Sequence, residues 1–490
     1  MAASYSWHVP QPLVPQLPLG LVAFVKRDCP TCALVAPVLR EIAAQRELTV
    51  ISQDDPTFPE GLSSVDDTSL AASWNHHIET VPTLLRIENS GETDRVVGWQ
   101  RAEWEAVTGL RGLGQGLPDW RPGCGSLSVD PTIAADLAVR FNAHRLKARR
   151  VQLAELDDDM EVAFDRGWSD GLPIVPPTER RVLAMLEGTS RHPDEVVAVV
   201  PPDMVECSVE KVAINAVMAG CKPEYLPIVL TAVEAACTDE FNIHGLLATT
   251  MPAGPVLIVN GPIRRRIGMC TGVNVFGQGN RANNTIGRAL QLVVRNVGGG
   301  RPGEVDRATF GNPGKISFCF GEDEEGSPWT PLSADFGIPA GTDAVTLFPG
   351  EGPRSVVDQL SRDPESLART FAVNLRTVHH PKLIMVFDAI LAIGPEHARV
   401  FADAGWDKAK LLSRLHELLQ VPGEELVRGA GGIAEGVPAA FAGAAALPKF
   451  RPGGLLTVHC GGRAGLFSAI IGGWANGSIG SQPVIKEIKP

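Results

Sequence analysis

One feature constrains this chain more than any other. An apolar run, Leu19 to Val25, is cut off by Asp28-Cys29-Pro30-Thr31-Cys32 and followed at once by a helix-like stretch from Ala33 to Ala44. A strand that hands over to a helix through Cys-x-x-Cys puts the first thiol at the helix N-terminus. The dipole there favours a thiolate, which lowers the thiol pKa and makes Cys29 the attacking nucleophile. Cys32, one turn inside, is the resolving thiol. A second strand is expected at Leu48 to Ser52. His77-Ile78-Glu79-Thr80-Val81-Pro82 opens a third, which runs on to Ile87, and Glu88 to Arg95 turns into a fourth. The alternative to a redox pair is a zinc-binding pair. No second Cys or His pair stands at zinc-knuckle spacing, and His76-His77 read as exposed loop histidines.

Strand, Cys-x-x-Cys at a helix start, then Val-Pro before a strand: across the first hundred residues this resembles the thioredoxin family. The resemblance implies that Val81 and Pro82, the latter at the family's cis-proline position, line the groove beside the thiols. Asp28 stands where the family usually has an aromatic residue, so redox potential and partner choice stay open.

The chain has 490 residues, enough for two or three domains, and 44% of them are apolar. The expected divisions are a thioredoxin-like domain over 1–118, a Gly/Pro linker with a connecting helix over 119–161, and a large α/β domain over 162–490, with possible halves 162–330 and 331–490. The linker contains Cys124, read as an idle surface thiol, and its helix is expected from Asp130-Pro131 to about Leu156. The charges of that helix, basic from Arg145 to Arg150 and acidic from Glu155 to Glu161, read as a solvated face. No run of about 18 apolar residues predicts a membrane span. The N-terminus, with Pro10, Pro12, Pro15 and Pro18, lacks the plan of a signal peptide. Nine scattered cysteines then read as thiols in a cytoplasmic protein. A formal charge of -12 without Lys-rich patches disfavours nucleic acid.

In the large part, two strand–helix–helix–strand units suggest an internal pseudo-repeat in a mixed or mostly parallel sheet. The first runs from Val196–Val200 to Val256–Asn260 and the second from Ala344–Phe348, through helices at Ser355 to Leu360 and Pro364 to Leu375, to Leu383–Ile393. Both close on Gly-Pro. A last strand, Leu455 to His459, is expected to meet a glycine turn and a helix from Leu466 to Ile471.

The densest chemistry lies between Gly254 and Ser327. Eight arginines fall between Arg264 and Arg307 against two acids, Glu304 and Asp306. Gly277-Gln278-Gly279-Asn280-Arg281-Ala282 precedes a helix expected from Asn284 to Val297. A dinucleotide fingerprint would follow an apolar strand and lead to another ending in an acid, and this segment has neither. Glycines, a helix start and Arg281 suit a small anion instead, with Asn260, Asn283 and Asn284 as further binding candidates; a glycine turn needed for packing is the plainer alternative. Cys319 and Cys221 are the candidate catalytic thiols of this part. Glu322, with Glu325 three residues on, is a candidate acid/base or metal ligand. His244, His459 and Cys460 are the metal candidates. Each thiol taken singly is as well explained by burial.

Several phrases here resemble a second family: Asp170-Gly171-Leu172-Pro173, Met218-Ala219-Gly220-Cys221, Val259-Asn260-Gly261-Pro262, Arg281-Ala282-Asn283 with Thr285-Ile286-Gly287-Arg288, and Ser327-Pro328-Trp329. They are similar to the large bacterial proteins that accompany small selenoproteins bearing a Sec-Gly-Ser-Cys (UGSC) motif. The resemblance covers most of 165–480 and implies a redox or reductive-cleavage setting, but it assigns no catalytic residues. The motif itself is absent; Cys124-Gly125-Ser126-Leu127 matches only in part.

The expectation is therefore a thiol-dependent redox enzyme in which the first domain supplies electrons to chemistry on a small anionic substrate in the second. A metal-dependent lyase or hydrolase with Cys, His and Glu ligands is the first alternative. A non-enzymatic redox-sensing or scaffold subunit is the second. The expected partners are the substrate and a thioredoxin reductase or other redox protein, with homo-oligomerisation left open. No cofactor is required beyond the metal ion of the first alternative.

Overall fold

The computed structural model describes residues 15–142, 146–154, 157–478 and 480–489 of an α/β protein that divides into two compact units, Met1–Leu146 and Lys147–Pro490. Pro10, Pro12, Arg145, Glu155 and Leu156, named above, lie outside the described residues.

In the first unit, β1 (Gly20–Val25) leads to α1 (Pro30–Ala43), with proline in the first turn, where its missing N–H costs nothing. There follow β2 (Leu48–Ser52), β3 (Ser64–Asp66), α2 (Ala71–Asn75), β4 (Thr80–Val81), β5 (Thr83–Glu88), β6 (Gly91–Val97), β7 (Trp99–Gln100) and α3 (Arg101–Thr108). The strand order is β3-β2-β1-β5-β6: β1, β2 and β3 run parallel, while β5 and β6 are antiparallel to their neighbours. Val35, Val38, Leu39 and Ile42 of α1 pack against Val22, Phe24 and Leu84 of the sheet, and Trp99 and Trp104 close the core edge-to-face at 5.2 Å. The Val81–Pro82 peptide is cis.

Residues 119–142, expected as linker and connecting helix, fold within this unit. Here β8 (Trp120–Arg121) pairs with β7, β9 (Cys124–Gly125) pairs with β4, and α4 covers Pro131–Asn142. The expected continuation to Leu156 is not helical over 146–154. The N–H groups of Lys147 and Ala148 donate instead to the buried carboxylate of Glu210, at 2.9 and 3.0 Å.

The second unit begins with α5 (Asp159–Asp165), α6 (Glu179–Leu186), the hairpin β10 (Val196–Val200) and β11 (Val205–Ser208), then α7 (Val209–Ala219), α8 (Leu226–Ala236) and α9 (Ile243–Ala248). Apolar almost all round, α8 is a buried helix. Next come β12 (Gly254–Asn260), α10 (Ile263–Arg266), α11 (Arg281–Asn296), β13 (Cys319–Gly321), α12 (Leu332–Asp335), β14 (Ala344–Gly350), β15 (Arg354–Val357) and α13 (Pro364–Arg376). The chain closes with β16 (Phe387–Ile393), α14 (Pro395–Asp403), α15 (Lys408–Leu418), β17 (Gln420–Val421), α16 (Gly423–Leu426), β18 (Leu447–Pro448), β19 (Leu455–His459), β20 (Phe467–Ala475) and β21 (Val484–Glu487).

The main sheet has eight strands in the order β13-β12-β14-β20-β16-β19, with β21 on β14 and β15 on β20. It is mixed. Only β12–β13 and β16–β19 pair in parallel, so the mostly parallel alternative does not hold. Both faces are covered. Along β16, Ile390 and Ala392 enter one core with Phe320, Phe348 and Ile471, and Ala389, Leu391 and Ile393 enter another beneath α13, α14 and α15. That alternation is the period of two of a strand buried on both sides.

Three further expectations differ from what is found. Residues 355–357 lie in a strand, and Leu466 to Ile471 leads into β20 rather than a helix; short apolar runs do not separate the two, and β16 and β15 supply the pairing. The Val196–Val200 strand belongs to a hairpin outside the main sheet, so the two units as drawn from the sequence are not equivalent. The Gly-Pro after β12 is a true stop. Gly261 has φ +88°, and a Cβ there would lie 2.5 Å from the Thr342 carbonyl.

Candidate active site

The first unit brings three thiols together. Cys29 is the N-cap of α1, and its sulfur accepts the N–H of Cys32 at 3.3 Å. The Cys32 thiol bonds to the same sulfur, and Cys124 Sγ lies 2.7 Å away. These bonds, that from Cys32 first, outweigh burial and take the Cys29 thiol from 9.0 to about 5. Once Cys29 is ionised, both neighbours can only donate to it. Burial, with the adjacent charge, drives the Cys32 thiol far up, and burial also raises Cys124. Cys29 and Cys32 are 1% and 0% exposed, while Cys124 is intermediate.

Cys124, expected to be an idle surface thiol, is instead half-buried against Cys29. Its backbone pairs antiparallel with Val81, beside the cis Pro82. Thr31 Oγ1 donates to Pro122 O at 2.7 Å, Lys26 Nζ to Gly125 O at 2.9 Å, and the Ser126 N–H to Glu79 O at 2.9 Å. Gly123 lets the segment lie this close, since a Cβ there would sit 2.4 Å from Thr80 Cγ2 and 2.8 Å from Val81 O. A Gly/Pro composition reads as a linker, and only the spacing of Pro122-Gly123-Cys124 hinted at a tight seat.

In the second unit the expected residues divide among separate places. Asn260 ends β12 and Glu322 follows β13; Asn260 Nδ2 donates to Glu322 at 2.7 Å and to Glu324 at 2.9 Å. Burial pushes the Glu322 carboxyl up to about 7, against bonds from Asn260 and the Leu332 N–H. Glu325 turns the other way, to Arg264 and Arg265, so the two acids do not project together. His459, at the end of β19, is buried; its Nδ1 lies 3.0 Å from Asp323 O, while Nε2 has no hydrogen-bond partner among the described residues. His244 is exposed on α9. Among the described residues no three His, Cys, Asp or Glu side chains gather as a metal site.

The arginine run is spent largely inside the unit. Arg264, 1% exposed, pairs with Glu324 and Glu325, Arg266 with Asp343, and Arg288 with Asp170. Arg281 Nε donates to Gly220 O at 2.9 Å, at the C-terminal end of α7. Asn283 is buried and holds the loop before α11 through both backbone groups of Cys270, and the Asn284 carbonyl accepts from Ser317. Gly279 has φ +111° and stands in open space. Cys221 donates to Thr285 O at 3.3 Å and is pushed up to about 12 by burial; burial first, with Cys221 nearby, raises Cys319 further. Both are protonated, packed thiols.

A cavity of about 950 Å³ opens at the carboxyl ends of the parallel pair β16 and β19. Asn274 to Gly277, Gly394-Pro395-Glu396, Cys460 to Arg463 and Ser468 line it. Arg463 is exposed and forms no ion pair among the described residues. The first turn of α14 has no side-chain cap. Of the residues expected from sequence, Gly277 and Cys460 reach this cavity. Arg463 was missed, because a lone arginine in a glycine turn carries no signal beside a run of eight.

Comparison with protein-family models, with curated proteins and with solved structures returned no match.

Proposed function

We propose that the chain is a thiol–disulfide oxidoreductase with Cys29 as its nucleophile, a thioredoxin-like first unit serving a large α/β unit. The observation that carries this is the Cys29 sulfur at the N-terminus of α1, its thiol lowered to about 5 by donors from Cys32 and Cys124. A thiolate present at neutral pH attacks a disulfide, forms a mixed disulfide and is released from it by a neighbouring thiol. The resemblance of the first hundred residues to thioredoxins supports the same reading. All nine cysteines are free, as suits a reducing compartment such as the cytoplasm.

The electrons serve, in this reading, a small anionic substrate in the cavity of the large unit. Arg463 and the open N–H groups of the first turn of α14 suit an anion, and Cys460 offers a thiol in the same wall. The sheet supports an internal duplication. In each half an inner strand (β12, β16) pairs in parallel with an edge strand (β13, β19), and a third strand (β14, β20) joins the halves.

The test is reduction of insulin disulfides by dithiothreitol, with wild type and Cys29→Ser compared. The wild type accelerates it and the variant does not. Equal acceleration by both would remove Cys29 from the reaction.

A further inference from the structure

We propose that Cys124 is the thiol with which Cys29 closes its working disulfide, so that the redox couple of the first unit is Cys29–Cys124. This rests on the reading of Cys29 as a redox nucleophile and names its partner. The two sulfurs already lie 2.7 Å apart, and a disulfide of about 2.05 Å needs only a small further approach. The backbone that carries Cys124 is fixed in register by the Val81–Cys124 pairing, by bonds from Thr31 and Lys26, and by the Ser126 N–H donating to Glu79 O. Gln53 adds to the hold beyond it, with Nε2 donating to Ser126 Oγ at 2.7 Å and Oε1 accepting the Leu127 N–H at 3.1 Å.

Burial separates the two candidate partners. Cys32 has no exposure, and removing its proton leaves a charge buried in the core. Burial raises the Cys124 thiol too, but Cys124 is partly exposed, and the Lys26 ammonium works against that rise. Cys32 therefore serves as a hydrogen-bond donor to the Cys29 thiolate, and Cys124 is the thiol free to attack.

The chemistry balances with a low-molecular-weight disulfide, RSSR, as oxidant. The Cys29 thiolate attacks one sulfur of RSSR; the Cys29–SR bond forms, the S–S bond breaks and RS⁻ leaves. The Cys124 thiolate then attacks the Cys29 sulfur, the Cys29–Cys124 bond forms and the second RS⁻ leaves. Two electrons pass from the dithiol to RSSR, and the two thiol protons end on two RSH.

The experiment equilibrates the full-length protein in glutathione buffers of rising glutathione-disulfide fraction, blocks free thiols and maps unreduced peptides by mass. The expected result is a Cys29–Cys124 linked pair as the main intramolecular link in the wild type, kept in Cys32→Ser. In Cys124→Ser that link is lost, and glutathione is held on Cys29. A wild type that forms only the Cys29–Cys32 link, with Cys124 reduced throughout, overturns the proposal and leaves Cys29 as nucleophile. No glutathione and no link at Cys29 in any of the three proteins overturns both readings.

Discussion

The Thr31 hydroxyl donates to the Pro122 carbonyl at 2.7 Å, so a residue inside the Cys-x-x-Cys turn grips the segment that carries the third thiol. On the other side of that segment Lys26, one residue past β1, holds the Gly125 carbonyl. The turn that carries Cys29 thus also positions Cys124 against it.

Gly123→Ala tests this seat. The new Cβ meets Thr80 and the Val81 carbonyl well inside contact distance, and the segment must shift. The expected cost is about 1–3 kcal/mol of stability in the first unit, the usual penalty for overpacking. Alkylation of Cys124 by a small reagent should become faster in the variant, because its pairing with Val81 loosens. An unchanged rate at Cys124 would show that the seat does not depend on Gly123.

Arg264 is buried among Glu324, Glu325 and the carbonyls of Gly261 and Glu322. Arg264→Met leaves carboxylates without their cation at the ends of β12 and β13. The expected loss is on the order of 3–5 kcal/mol, read by urea unfolding.

Glu322 gives a pH dependence with a definite sign. Its carboxyl rises from 4.5 to about 7 on folding, so the folded state holds the proton more tightly. The stability this supplies is present below pH 4.5 and lost as pH rises through 7. Glu322→Gln removes that titration. Between pH 4.5 and 8 the variant should gain on the wild type by on the order of 3 kcal/mol, whatever constant offset its lost acceptor adds. Urea unfolding at the two ends of the range measures it, and a pH-independent difference would contradict the shift.

Arg463→Ala addresses the cavity. Loss of a charge-assisted bond to a bound anion should cost on the order of 1.5–3 kcal/mol of binding. Titration with inorganic phosphate into wild type and variant is the check, and equal affinity would take the anion away from this wall.

Much of the first unit was legible from residues close together in sequence. A strand, a Cys-x-x-Cys turn and a proline-opened strand carry their own local signals, and β1, α1, β2 and β5 stand close to where those signals put them. The placement of Cys124 was not legible. It depends on pairing with Val81 across more than forty residues, in a stretch whose Gly/Pro composition is equally that of a linker. The arginine run misled for a related reason. Charge in sequence order does not reveal its partners, and Glu322 to Glu325, adjacent in sequence to the run, supply several of them in space. In the large unit, the helix that opens after the capping residue Asp363 matched expectation closely. The helix expected from Leu466 to Ile471 did not, because helix and buried strand share that composition and tertiary pairing decides between them.

The most direct measurement is the rate of iodoacetamide alkylation of Cys29 against pH, read by peptide mass on the intact protein. With the thiol lowered to about 5, the thiolate is already formed above that pH. The rate should rise to about pH 6 and stay level to pH 9, while an ordinary thiol of pKa about 8.5 gains about tenfold per unit over most of that range. A level rate supports Cys29 as the nucleophile; a rate at Cys29 that climbs tenfold per unit through pH 8 would contradict the account.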